Sequence, residues 1–437
     1  MREVYSKAAF CIAATSAQSG DTGLYYDRDI QQLTPIVVEL KRPEFEHFNP
    51  HGWPDSGTYL LGFHLLTPSS LVNFSPLNRR GWVAQERFLS PRILHFTREV
   101  LVWECHESFT HEISANTSVD ASSVDLYLDP SNLKRVLNSI RWQGPDIEYI
   151  LRSELFQRAR FGRQPSDNTD QLTQNTIYQA WGQFLQSYSG HDLTKESDIF
   201  VALNGVADEV GDIMSDRLIA GLWEGRFIED MCWYSISGSG RPKVWRAPSW
   251  SWASIISQIE SAAEKRQQFW ISEEDRFPHK MAGVVKLDIA TKPSGEVEQA
   301  SVLLECRPIP ASICSASETS VDNAWCTMTK GKWPSCMAET FAESRPSAEA
   351  HGAFEIKIED YNASRYNNHK VVDAQLLVLV RRGASGETMS LEGICIVEST
   401  SHPGAFERIG YFGVYMENAI SVRAAYEQAR IQTILLV

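Results

Sequence analysis

The chain has 437 residues, 43% of them apolar, with 13 tryptophans and a formal net charge of −14. That apolar share supports a packed interior, and the length suggests two or three domains. An acidic balance with no basic stripe argues against nucleic acid or an anionic membrane surface as partner, and no apolar run reaches the roughly 18 residues that a spanning helix needs.

The first residues, MREVYSKAAFCIAATSA, lack the long apolar core of a secretory signal. The eight cysteines form no CxxC pair, which fits reduced thiols packed as small hydrophobes. Both features lead to the expectation of a cytoplasmic protein without a metal site.

In chain order, Arg2 to Lys7 is helix-compatible, and AAFCIAATSA reads as a short buried strand closed by the turn-rich QSGDTG. PIVVEL and TYLLGFHLL follow as strands around the turn HFNPHGWPDSG. WVAQERFL is helical up to the Ser90-Pro91 break, and RILHF and VLVWEC are two strands joined by Thr97-Arg98-Glu99. From Asp146 to Cys232 the period turns helical, through DIEYILRSELFQRAR, DQLTQNTIYQAWGQFLQSYS, DIFVALNGVADEVGDIM and RLIAGLWEGRFIEDMCW. RAPSWSWAS is then expected as a strand whose two indoles pack a core, with a base- or sugar-stacking platform as its rival reading. Two polar stretches, 259–293 and 315–350, interrupt a β-rich end comprising GVVKLDIA, ASVLLECRP, AFEIKIED, AQLLVLVRR, LEGICIVES, RIGYFGVY and IQTILLV.

Within the helix before Ser90, Trp82, Gln85, Glu86 and Leu89 fall at i, i+3, i+4 and i+7 and share one stripe. Trp82 and Leu89 are expected to turn that stripe inward. A carboxylate there is costly to bury unless it is paired or put to use.

This block resembles the closing motif of the fungal heterokaryon-incompatibility (HET) domain, R-[AG]-W-x-x-Q-E-R-x-L-S-x-R-x-L-x-F followed by W-E-C. Arg80, Gly81, Trp82, Gln85, Glu86, Arg87, Leu89, Ser90, Arg92, Leu94, Phe96, Trp103, Glu104 and Cys105 fill it in order. The passage from Met1 through Tyr25 is similar to an internal stretch of the same domain. Trp181 to Trp223 and the RAPSWSWAS run resemble what usually follows it. The family's earlier strands and helix have no counterpart, so the resemblance implies an N-terminally truncated HET domain.

Through that domain's likeness to the TIR domain, the resemblance implies a partial flavodoxin-like parallel sheet at 1–107. A helical middle region at 108–258 and a β-rich domain at 259–437 would follow. It also implies a role in nonself recognition and programmed cell death, with no required cofactor and NAD as substrate. TIR domains that cleave NAD carry W-C-x-x-E, and Trp82 and Glu86 keep that spacing with Val83 in place of the cysteine. Glu86 is then the candidate catalytic carboxylate, with Trp82, Gln85 and Arg80 beside it.

The residues equally allow Glu86 to form a partly buried ion pair with Arg79, Arg80 or Arg92, in a catalytically silent scaffold for a protein partner. The missing front half weighs toward that ion pair. It also leaves an apolar sheet edge through which the chain would self-associate. No Walker loop, GxSxG elbow, GxGxxG or HExxH is present.

Overall fold

A computed structural model describes residues 2–28, 36–40, 57–61, 68–106, 108–113, 132–142, 169–236, 240–261, 279–315, 323–327, 354–358, 372–383 and 389–437. The expected turn HFNPHGWPDSG, apart from its last residue Gly57, and the expected helix DIEYILRSELFQRAR lie outside these residues. The fold mixes helices with several sheets, and it divides into two compact units, Met1–Asp129 and Pro130–Val437.

In the first unit, α1 (Arg2–Ser6) precedes β1 (Cys11–Ala13), and β2 (Ile36–Leu40) pairs antiparallel with β3 (Gly57–Leu61). Then come α2 (Pro68–Asn73), α3 (Gly81–Leu89), β4 (Arg92–Phe96), β5 (Leu101–Cys105) and β6 (Phe109–His111). The main sheet runs β1-β4-β5-β6. β1 and β4 are parallel with Ile12 beside Leu94, whereas β4–β5 and β5–β6 are antiparallel. The single parallel pair therefore encloses α2 and α3 in its crossover, as parallel neighbours require a long connection. Burial alternates along β4 and β5, placing Ile93, His95, Val102 and Glu104 on the buried side. Val72 of α2 packs with Val100, Val102 and Phe109.

The second unit opens with α4 (Asn132–Trp142), α5 (Thr169–Ser189) and α6 (Val201–Met214). α5 buries Ile177, Trp181, Phe184 and Tyr188 at helical spacing. The segment 217–233, expected as one helix, is instead a hairpin of β7 (Leu218–Ile219) and β8 (Leu222–Trp223), then the single turn α7 (Phe227–Asp230) and β9 (Trp233–Ser235). Ala220 and Gly221 take φ of 45° and 89°, the pairing that a two-residue hairpin loop demands.

RAPSWSWAS is not a strand either. It is irregular up to a short 3-10 turn at Trp252–Ser254, because its groups serve neighbours rather than a ladder. The Ser251 hydroxyl donates to Ala220 O at 2.7 Å, and Trp252 Nε1 donates to Gly221 O at 2.9 Å. Trp250 and Trp252 are 0% and 1% exposed, so neither ring face is open to a base or a sugar. Trp252 makes edge-to-face contacts with Tyr188 and Phe200, and Trp250 makes one with Phe227.

β10 (Ile259–Ser261) pairs with β9 across the expected 258/259 boundary. The remaining strands are β11 (His279–Lys280), β12 (Gly283–Thr291), β13 (Val297–Cys306), β14 (Pro308–Ser315), β15 (Asn323–Thr327), β16 (Phe354–Ile358), β17 (Val372–Arg382), β18 (Ser390–Glu398), β19 (Phe406–Tyr415) and, after α8 (Met416–Gln428), β20 (Gln432–Leu436). They form one ten-stranded sheet. Within it, the pairings β17–β14–β15–β16–β19–β18 return to β17, closed by the short contact of Lys357 and Ile358 with β19. Leu376, Val378, Leu391, Cys395 and Phe412 form one core with Ala419 and Val422 of α8.

The helical and β-rich parts share one unit because buried groups tie them together. The Arg408 guanidinium lies 3.6 Å over the Trp233 ring and donates to the carbonyls of Met231 and Trp233. Ser249 Oγ accepts from Arg408 N at 2.9 Å.

Asp230 gives this unit a pH dependence. Its carboxylate accepts from Trp223 N at 3.1 Å and lies 3.7 Å from Arg226, yet burial outweighs both and pushes its pKa up to about 6. A folded-state value above the unfolded one means that protonated Asp230 favours the fold. That contribution is complete below roughly pH 4 and is lost as pH rises through about 6. Asp230→Asn is therefore expected to gain stability relative to wild type at pH 7.5 and to lose that advantage at pH 4.5. Thermal unfolding of both proteins at the two pH values measures it.

Candidate functional site

α3 carries most of the expected site residues. Arg80 is its extended N-cap, and Ser90, ahead of Pro91, is the extended C-cap that ends it. The Ser90 hydroxyl donates to Glu86 O at 2.7 Å and contacts Cys11 Sγ at 3.1 Å, which ties the end of α3 to the start of β1.

The inward stripe is rotated from the expected one. Gly81, Val83, Ala84, Gln85 and Leu89 are buried, while Trp82 and Glu86 are half-buried on the flank and Arg80 is exposed. Val83 and Ala84 are small and apolar enough to sit beneath the helix, so the larger indole moves to the side. Gln85 is buried and its Oε1 has no hydrogen-bond partner among the described residues. The Glu86 carboxylate faces the Tyr5 hydroxyl of α1, with Arg80 and Cys11 near the same phenol. Burial first, then the hydrogen bond to Glu86, pushes the Tyr5 pKa up to about 12.

The fully buried carboxylate of this unit is another one. Glu104 and His95 are each 1% exposed. Arg87 Nε donates to Glu104 Oε2 at 2.6 Å, and Arg87 Nη1 donates to Asn73 Oδ1 at 2.6 Å. His95 Nε2 lies 3.1 Å from the same Glu104 oxygen, and His95 Nδ1 lies 3.0 Å from Thr15 Oγ1. One helix and two strands thus meet on this carboxylate, α2 joining through the Asn73 bond to Arg87, whose guanidinium is also 5.5 Å above the Phe109 ring.

The buried ion pair that the sequence allowed for Glu86 is formed one residue along, by Arg87 with Glu104. Register explains it: His95 pairs with Val102 and Ile93 with Glu104, so His95 and Glu104 are diagonal neighbours on one face. Sequence reasoning passed over Tyr5, His95 and Thr15. The one available signal was period two along RILHF and VLVWEC, which puts His95 and Glu104 with the apolar side.

Comparison with protein-family models, with curated proteins and with solved structures found no match.

No group of three or more His, Cys, Asp or Glu is placed to hold a metal ion among the described residues. No helix there is long and apolar enough to cross a membrane. Burial pushes the Cys306 thiol up to about 12, so it stays protonated at neutral pH. The chemically open group of the site is Glu86. It is half-buried, carries a phenol partner, and stands apart from the Arg87–Glu104 network that fixes the helix.

Proposed function

We propose that this chain is a HET-domain-like protein of nonself recognition and cell death, and that Glu86 promotes cleavage of the nicotinamide–ribose bond of NAD. The supporting motif runs from Arg80 through Cys105, with Trp82 and Glu86 one helical turn apart. The observation that carries the reading is the position of α3. It lies in the crossover between two adjacent parallel strands, and it presents Glu86 on its flank while Arg87 anchors the opposite contact. A flavodoxin-like sheet would provide that crossover. A carboxylate so placed would hold the ribose hydroxyls and stabilise the cation formed as the glycosidic bond breaks, water supplying the new bond to carbon.

A second reading is a catalytically silent scaffold. It is favoured by the edge of β1, where Phe10 and Ile12 are 52% and 56% exposed and β1 pairs with β4 alone among the described residues. A protein partner or a second copy would meet the chain there.

Nicotinamide release from NAD separates the readings. Wild type is expected to release nicotinamide, and Glu86→Gln to lose at least a hundredfold in rate with its thermal unfolding unchanged. Equal inactivity of the two proteins would favour the scaffold.

A further inference from the structure

We propose that the outer face of the first unit's main sheet docks an amphipathic helix of a partner protein, acidic at both ends. The inference goes beyond the readings of Glu86 and of the β1 edge, and it holds whether or not NAD is cleaved. The described helices engage the inner side of that sheet. α2 packs through Val72 on Val102 and Phe109, α3 is bonded through Arg87 to Glu104, and α1 packs on α3. A mainly antiparallel sheet with one covered face ordinarily turns polar residues outward. This one does not. Register sets Ile12, Leu94, Trp103 and Thr110 in one row across all four strands, with Phe96 beside Leu101 in the next. Alternation along β4 and β5 places these side chains opposite the buried Ile93, His95, Val102 and Glu104. Ile12 is 56% exposed and the others are half-buried, while Tyr25, 84% exposed, meets the Phe96 ring edge-on at 5.7 Å.

Charge selects the occupant. Along β4 the same face carries Arg92 ahead of Leu94 and Phe96, and the alternation continues past buried Thr97 to Arg98. Both arginines are exposed, and among the described residues neither guanidinium is paired with a carboxylate. Arg92 Nη1 donates to Ala9 O at 3.4 Å, and the Arg98 guanidinium lies 5.8 Å over the Tyr26 ring. Their separation along the strand is roughly 20 Å, which a helix spans in about 13 residues. An apolar stripe of that length with Asp or Glu at each end complements both the centre of the face and its two arginines. Packed on itself about a two-fold axis with strands aligned, the face would set arginine against arginine, so a second copy fits less well. Two arginines also fall short of the roughly four to eight basic residues that hold a protein on anionic lipid.

A phage library of helical peptides of about 18 residues, panned on the full chain, supplies the probe. Enriched sequences should carry apolar residues at i, i+3, i+4 and i+7 between terminal Asp or Glu. By fluorescence anisotropy, the leading peptide should bind wild type at least tenfold more tightly than its Lys-ended counterpart. The double variant Arg92→Glu, Arg98→Glu should reverse that preference, a gain of binding that misfolding cannot imitate. Ile12→Gln should weaken both peptides with thermal unfolding unchanged. Failure to enrich any helical peptide overturns the proposal, as does a preference that survives the double reversal. A wild-type dimer in sedimentation that Trp103→Gln dissociates would give the face to a second copy and overturn it too. So would pelleting with phosphatidylglycerol vesicles that the double variant abolishes, which would assign the face to lipid.

Discussion

Glu104→Ala is expected to destabilise the first unit by about 3–5 kcal/mol, enough to abolish most of the stability of a small domain. The substitution removes the acceptor of Arg87 Nε and the partner of His95 Nε2 together. The Arg87 guanidinium then keeps its bond to Asn73 but loses the carboxylate that balances its charge, with its side chain only 11% exposed. Breaking one member of a buried pair costs more than the pair contributes, because the abandoned charge stays desolvated. Glu104→Gln keeps the shape and one acceptor oxygen, and it should recover part of the loss. Urea unfolding of the three proteins decides the matter. A Glu104→Ala variant within about 1 kcal/mol of wild type would show that the pair contributes little to the fold.

Gly393→Ala should be at least as damaging to the second unit. Gly393 lies on β18 between Val378 of β17 and Phe412 of β19, in a strand buried on both faces. A methyl group there would sit 1.9 Å from the Leu377 carbonyl oxygen and 2.8 Å from Phe412 Cζ. The ring could turn aside, but the carbonyl belongs to the backbone of the neighbouring strand and cannot move without breaking the ladder. Overpacking a core typically costs about 1–3 kcal/mol, and a backbone obstacle places this site at or above the upper end. The same change at Gly404, where nothing lies within 4 Å of the added carbon, tests the left-handed backbone alone, since its φ is +82°. Gly404→Ala should cost only about 1 kcal/mol. Thermal unfolding should show the large drop for Gly393→Ala and a small one for Gly404→Ala.

Much of the fold was legible where one period dominates. β1, β4 and β5 lie within the apolar runs read as strands, although β1, expected to be buried, leaves Ile12 56% exposed, and α5 and α6 follow their helical stripes. β12, β13 and β16 to β20 overlap the runs that read as strands, whereas β14 and β15 go unread, β15 lying in the stretch 315–350 that reads as a polar interruption.

Reading failed where two periods fit the same residues. Leu218, Ile219, Leu222 and Trp223 satisfy a helical stripe, yet Ala220 and Gly221 turn the chain back through positive φ. That hairpin owes its place to Ser251 and Trp252, some thirty residues along, which no local window contains. α8 went unseen because it stands between two strong strands; among its described residues Ala419 and Val422 are buried in their core, with Ala425 and Tyr426 partly buried against it.

The candidate site divides along the same line. The helix and its end at Ser90 belong to local sequence, whereas the stripe that reads as inward holds Trp82 and Glu86, which the fold leaves half-buried on the flank. Choosing between Glu86 and Glu104 as the buried acid requires the β4–β5 register, which is a property of pairing. Tyr5 could be joined to Glu86 only by the packing of α1 on α3.

The strand Gln432–Leu436 runs antiparallel to β13 and parallel to β19, and among the described residues it links the β12–β13 hairpin to the rest of the large sheet. During synthesis this seam must wait until nearly every other residue of the unit has left the ribosome. Until then the apolar flanks of two finished subassemblies lie bare, and a nascent chain stalled at that stage is the form that chaperones would need to shield.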